Sequence, residues 1–153
     1  MANLLGVNAT KILSSNPSDK AGIGEQGGRL RVIYDTYEVL ADMAADDTIQ
    51  MGGLIPAGAR VIDVHLFYDA LTAGTLDVGW EASSNGVEAA SADGFVDGAA
   101  VTSQGHVSLQ EDHFAEAGMF KKFAAAVQPI VKVATDTEAT SGTISLAIMY
   151  ILD

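Results

Sequence analysis

Three stretches of strict two-residue alternation constrain this chain more than anything else in it. From Arg60 to Asp69, Ile62, Val64, Leu66 and Tyr68 fall on one side, and Asp63, His65 and Asp69 on the other. From Thr75, Leu76, Val78, Trp80 and Ala82 face one way, and Thr75, Asp77, Gly79 and Glu81 the other. From Thr143 to Leu152, Ile144, Leu146, Ile148, Tyr150 and Leu152 oppose Thr143, Ser145, Ala147 and Met149. Successive side chains of a strand point to opposite faces, so each stretch reads as a strand with one buried face. Ala70-Leu71-Thr72-Ala73-Gly74 separates the first two, which predicts a β-hairpin. Gly53-Leu54-Ile55-Pro56-Ala57-Gly58 upstream is the turn that delivers the chain into it. The last stretch is too apolar to sit safely at an edge and is expected in mid-sheet.

Around these anchors the remaining segments are less regular. Arg29–Leu40 is rich in β-formers and reads as a strand running on toward Met43. A turn at Ala45-Asp46-Asp47 and a short strand over Thr48–Met51 follow, in preference to a short helix over Glu38–Asp47. Residues 83–104 read as a long irregular loop plugged into the core by Phe95 and Val96, a length that marks a functional or interaction surface. His106–Leu109 is a candidate strand. Ala115–Val127 suits a short helix weakened by Gly118, with a strand as the alternative. Pro129–Thr135 is a further strand, and Asp136–Gly142 the turn after it. Seven or eight strands at turn-punctuated spacing predict an all-β fold, an antiparallel β-sandwich of jelly-roll type in a single domain over 29–153. Residues 1–28, with Asn8, Ser14, Ser15, Asn16, Pro17 and the glycines Gly22, Gly24, Gly27 and Gly28, bury too little to fold alone and read as a flexible N-terminal arm. Its anchors on a partner would be Leu4, Leu5, Val7, Ile12 and Leu13.

Charge narrows the partners. The chain carries a net charge of −12. Residues 34–116 hold fifteen acids and one base, Arg60, whereas the first 33 are mildly basic through Lys11, Lys20, Arg29 and Arg31. Phosphate neutralisation needs clustered bases, so nucleic acid is an unsuitable partner. No apolar run approaches the length that spans a bilayer, and the first residues lack a secretion signal, so no membrane partner and a start in the cytoplasm are expected. There are no cysteines, which removes disulfides, thiolate metal sites and cysteine nucleophiles.

Candidate chemistry is thin. Asp93-Gly94-Phe95-Val96-Asp97-Gly98 places two carboxylates four apart, short of a calcium loop, and reads as an Asp-Gly turn segment. Asp63, His65 and Asp69, with Asp77 and Glu81 on the expected partner strand, invite a metal or acid–base reading. A hairpin's solvent face needs such residues anyway, and that reading is preferred. Glu111-Asp112-His113 is treated as a solvated loop. Gly22-x-Gly24-x-x-Gly27 precedes a strand instead of following one, so it is no dinucleotide fingerprint. Neither a nucleophile elbow nor a phosphate loop occurs. Trp80 lies on an apolar face, which favours core over a sugar-stacking platform. The expectation is no enzyme, no cofactor and no metal.

One resemblance adds to this reading. Gly28-Arg29-Leu30-Arg31-Val32-Ile33-Tyr34-Asp35-Thr36-Tyr37, Leu54-Ile55-Pro56-Ala57-Gly58-Ala59-Arg60-Val61 and Thr75-Leu76-Asp77-Val78-Gly79-Trp80 resemble capsid decoration (cement) proteins of tailed bacteriophages. Asp93–Gly98 and Gly142–Tyr150 fit the same pattern. The resemblance implies a virion protein on the outer capsid surface, a homotrimer bound to the major capsid protein, with an arm reaching onto neighbouring capsomers. It implies shell contacts from the arm, through Leu4, Leu5, Lys11, Ile12, Leu13 and Lys20, and from the 83–104 segment through Phe95. A head-fibre base, a tail part and a carbohydrate-binding sandwich are the competing readings.

Overall fold

The computed structural model describes Lys11, residues 14–20, 28–109 and 117–152. Among the described residues, eight strands follow a 3₁₀ turn at Pro17–Asp19, which Asn16 caps by accepting from the Ser18 N–H. They are β1 (Arg31–Val39), β2 (Thr48–Gln50), β3 (Ala59–Tyr68), β4 (Thr75–Trp80), β5 (Ser91–Ala100), β6 (Gly105–Ser108), β7 (Pro129–Thr135) and β8 (Gly142–Leu152). One sheet has the order β1-β8-β3-β6 and the other β2-β7-β4-β5. Every pairing is antiparallel. First pairs with last, second with seventh, third with sixth and fourth with fifth. That is one long antiparallel ribbon folded at the β4–β5 turn and rolled so that β3 also meets β8 and β4 also meets β7. The result is an all-β jelly-roll sandwich, as the alternation predicts.

The core lies between the sheets. From the first come Val64, Leu66, Ile144, Leu146 and Ile148; from the second, Leu76, Val78, Val131 and Val133, all buried. β8 is the second strand of its sheet, flanked by β1 and β3, as its apolar sequence demands. At one end Trp80, Phe95 and Phe123 form an aromatic cluster. Trp80 and Phe95 have centroids 4.9 Å apart, and Trp80 and Phe123 meet edge to face at 5.1 Å. Lys121 lies over Trp80 and Phe123 and reaches the Glu88 carboxylate at 3.0 Å.

Several expectations change. The strands β3 and β4 exist, but they are not a hairpin: they belong to opposite sheets, and Asp69–Gly74 arches between them. Alternation cannot separate the two cases, because both give each strand one buried face. Leu71 decides it: fully buried, it plugs the end of the sandwich while its N–H donates to the Val101 carbonyl. Gly74 closes the arch at φ +92°, where a Cβ would lie 2.5 Å from the Thr135 carbonyl oxygen. Ile62 also leaves its assigned face. A bulge between Val61 and Asp63 shifts the phase, so Val61 and Val64 are buried and Ile62 is half-exposed.

The 83–104 segment is not a loop. Its middle is the ten-residue strand β5, paired with six-residue β4 through two register shifts. Those shifts bury Gly94, Phe95 and Val96 in succession, which erases the alternation that marks a strand in sequence. Residues 117–127 form turns and isolated bridges, Arg60 to Lys122 and Ile55 to Val127, where a helix was expected. Gly118 explains it: its N–H donates to Gly94 O at 2.7 Å, and a Cβ there would meet the Phe95 ring at 2.3 Å. Residue 115, with the rest of 110–116, lies outside the described residues.

Candidate interaction face

The outer side of the β1-β8-β3-β6 sheet carries exposed apolar side chains and two imidazoles. Register places Tyr34, Ala147, His65 and Ser108 in one row, and Thr36, Ser145, Phe67 and His106 in the next. Val32 and Tyr34 on β1 are 57% and 65% exposed, and Phe67 on β3 is 46% exposed. The Thr36 hydroxyl donates to the Tyr34 oxygen at 3.0 Å and lies 3.3 Å from the Ser145 hydroxyl. These hydroxyls hold the Tyr34 phenol below its ordinary pKa, Thr36 having the larger effect.

Strand edges differ sharply. β2 has three residues, β6 four, and β5 is bulged, all devices that discourage pairing with another chain. β1 has nine residues, and its nine register partners on β8 run without a shift. With Val32 and Tyr34 exposed on it and Leu30 and Leu40 exposed just beyond its ends, β1 is a long, regular edge of the kind that proteins cover or use.

Beside it runs a line of hydrogen-bonded titratable groups. Asp63, the first residue past the β3 bulge, shares a face with His65 two residues on. Asp63 Oδ1 accepts from the Val64 N–H at 2.9 Å, and Oδ2 lies 3.0 Å from His65 Nε2. His65 Nδ1 lies 2.8 Å from His106 Nε2 on β6. The two imidazoles have centroids 5.0 Å apart and planes within 15°, so they meet edge to edge, nitrogen facing nitrogen. Phe67 stacks on His106 at 4.5 Å. A shallow depression adjoins the line, bordered by Phe67, Asp69, Gln104, Thr143 and Ser145.

The opposite face is acidic. Asp77 accepts from the Gly98 N–H at 2.8 Å, and Lys132 pairs with Asp46 at 2.7 Å. Burial pushes the Asp77 carboxyl above its ordinary pKa; Asp97 and Asp93 add to this, against the opposing Gly98 N–H and Lys132. Lys132 holds the Asp46 carboxyl below its usual value through the hydrogen bond and its charge. Among the described residues no three His, Asp or Glu side chains converge on a metal position.

The sequence candidates disperse. Asp63 and His65 stay together, but Asp69 turns to the Thr143 N–H, and Asp77 and Glu81 belong to the other sheet. His106 was missed as their companion, since one sequence does not say which strand pairs with β3. Phe95 is corrected from a shell contact to a core residue: it is fully buried. Trp80 is 3% exposed and donates to the Ala89 carbonyl, so the sugar-platform reading loses its ring. Leu4, Leu5, Val7, Ile12, Leu13, Gly22, Gly24, Gly27 and Glu111-Asp112-His113 lie outside the described residues. Lys11 is half-buried, and Lys20 is exposed and donates to the Ser14 carbonyl.

No protein-family model matches the chain, and no curated protein matches it. Solved structures do. The chain is similar to one in the capsid asymmetric unit of cyanophage Pam1, at 19% identity and a TM-score of 0.64, over 98% of this chain and 100% of that one. It is also similar to one in the capsid of Ralstonia phage GP4, at 23% identity and a TM-score of 0.60, over 80% of this chain and 85% of that one. The fold is therefore shared, end to end, with a chain found in a phage shell.

Proposed function

We propose that this chain is a structural virion protein, not an enzyme, that binds the outer surface of a phage capsid and stabilises the shell by linking neighbouring capsomers. The observation that carries the reading is the end-to-end likeness to a chain of the cyanophage Pam1 capsid asymmetric unit. In this reading the partner is the major capsid protein and the working form is a homotrimer. The β1 edge supplies contact area, and residues 1–28 extend onto adjacent capsomers. Each contact is modest, and several engaged at once give large avidity.

Purified protein should co-sediment with expanded empty heads of its phage, and heads carrying it should survive heating that bursts bare ones. Deleting residues 1–20 should abolish that binding and leave the fold intact. Light scattering should give three times the 15.8 kDa chain mass. Protein that ignores heads and instead joins tails would overturn the decoration reading in favour of a tail component.

A further inference from the structure

We infer that His65 and His106 form a surface site for an imidazole-preferring divalent metal, Zn²⁺, Ni²⁺ or Cu²⁺, with Asp63 as its positioning residue. Three observations converge on it. Two imidazole nitrogens from neighbouring strands, His65 Nδ1 and His106 Nε2, stand 2.8 Å apart. The remaining nitrogen of His65 lies 3.0 Å from the Asp63 carboxylate, which favours Nε2 as the protonated atom and makes Nδ1 the acceptor of the His106 Nε2–H. A metal takes the place of that hydrogen bond: the His106 Nε2 proton is released to solvent and the ring keeps a proton on Nδ1. A metal-binding histidine is commonly oriented this way, its second ring N–H donated to a carboxylate that also raises its basicity. Phe67, stacked at 4.5 Å, holds the His106 ring in plane.

Distances set what the site accepts. Nitrogens bound to tetrahedral Zn²⁺ at about 2.0–2.1 Å lie roughly 3.3 Å apart, so the pair opens by about half an ångström and tilts to converge. Both residues are on a solvated sheet face, and such a movement disturbs no core packing. With two protein nitrogens and no third converging donor among the described residues, water completes the shell. This is an open site, and nitrogen donors select borderline metals over Ca²⁺ or Mg²⁺, which prefer oxygen. The net charge of −12 raises the local cation concentration around it.

Titration calorimetry with ZnCl₂ at neutral pH should show one site per chain, with CaCl₂ giving none. His65→Ala and His106→Ala should each weaken Zn²⁺ binding at least tenfold, as should Asp63→Ala. Asp63→Asn, which keeps an acceptor for the His65 N–H, should recover part of the loss, a rescue that a purely structural role for Asp63 does not predict. In the unmutated protein Cu²⁺ should broaden two of the three imidazole proton resonances before the third, which tests the pair without any substitution. Wild-type protein that ignores millimolar Zn²⁺, or binding that persists in both histidine variants and disappears on replacing His113, would overturn the site.

Discussion

The two outer faces of this sandwich are built from strands of similar composition and serve opposite ends. The β2-β7-β4-β5 face is acidic, with Asp77, Asp93 and Asp97 near one another and Lys132 tied to Asp46. Its two edges are a three-residue strand and a bulged one. The β1-β8-β3-β6 face carries Val32, Tyr34, Phe67 and two imidazoles, and ends on a nine-residue edge. Like charge keeps the first face in water, and blunted edges keep it from pairing. The second face is blunted only at its four-residue β6 edge; its other edge, β1, runs nine residues without a register shift. The difference teaches where to look for a partner: the face with exposed aromatics and the long β1 edge, more than the acidic one, is the side on which association would cover a liability.

The largest effect should come from beneath the acidic face. Phe95 is fully buried against Trp80 and Phe123. Phe95→Ala should cost about 3–5 kcal/mol, a large share of the roughly 5–15 kcal/mol that stabilises a domain. Urea unfolding followed by emission of the single tryptophan, Trp80, measures it. A loss under 1 kcal/mol would mean that Phe95 is not the keystone of this end.

Glu88 gives the next effect. Burial raises its carboxyl, but the Ala124 N–H at 2.6 Å and the Lys121 ammonium outweigh that, and its pKa ends below the ordinary 4.5. An acid whose pKa falls on folding contributes stability that is fully present above the unfolded value and lost as pH drops through the folded one. Glu88→Ala leaves the Ala124 N–H without its partner and should cost about 1–3 kcal/mol at neutral pH. That cost should shrink in acid, as pH falls through the depressed value and the wild-type carboxyl itself takes up a proton. Urea midpoints at neutral and acid pH check it; an equal loss at both would assign the effect to packing instead of charge.

Tyr34 tests the exposed face. At 65% exposure its removal should change stability by no more than about 0.5 kcal/mol. On the decoration reading Tyr34→Ala should weaken head binding about tenfold or more, since exposed aromatics supply much of an interface's energy. The matching change on the other face, Asp93→Ala, should leave head binding unchanged. Co-sedimentation of both variants with expanded heads decides whether the faces differ as claimed. Equal loss in both would erase the distinction.

What was legible in the sequence follows the same divide. Wherever a strand keeps one phase, as β8 does from Ile144 to Tyr150, alternation locates it and its buried side. β5 escaped because two bulges bury Gly94, Phe95 and Val96 in a row, and the segment around Gly118 escaped because a close approach to Gly94 and Phe95 overrides its helical composition. The β3–β4 arch was misread as a hairpin because alternation records which side is buried and not against which sheet. The Asp63–His65–His106 line needed the pairing of Phe67 with His106, a contact across strands that a single sequence does not encode. Legibility ends where long-range register begins.

The smallest effect is the most pointed test of the acidic face. Asp77 is held above its ordinary pKa, chiefly by burial and then by Asp97 and Asp93, although the Gly98 N–H and Lys132 oppose this. An acid raised on folding favours the folded state when protonated, and its ionisation weakens that state as pH rises from the unfolded value through the folded one. Asp77→Asn removes the charge and keeps an oxygen for the Gly98 N–H. It should therefore raise the melting temperature slightly at neutral pH, within about 0.5 kcal/mol, and make no difference near pH 3. Thermal melts of both proteins at the two pH values read the sign directly. A fall at neutral pH would mean that the charge of Asp77 is needed, as it would be if a cation lay between it, Asp93 and Asp97. The acidic face would then be a binding surface too, and the contrast between the two sheets would have to be redrawn.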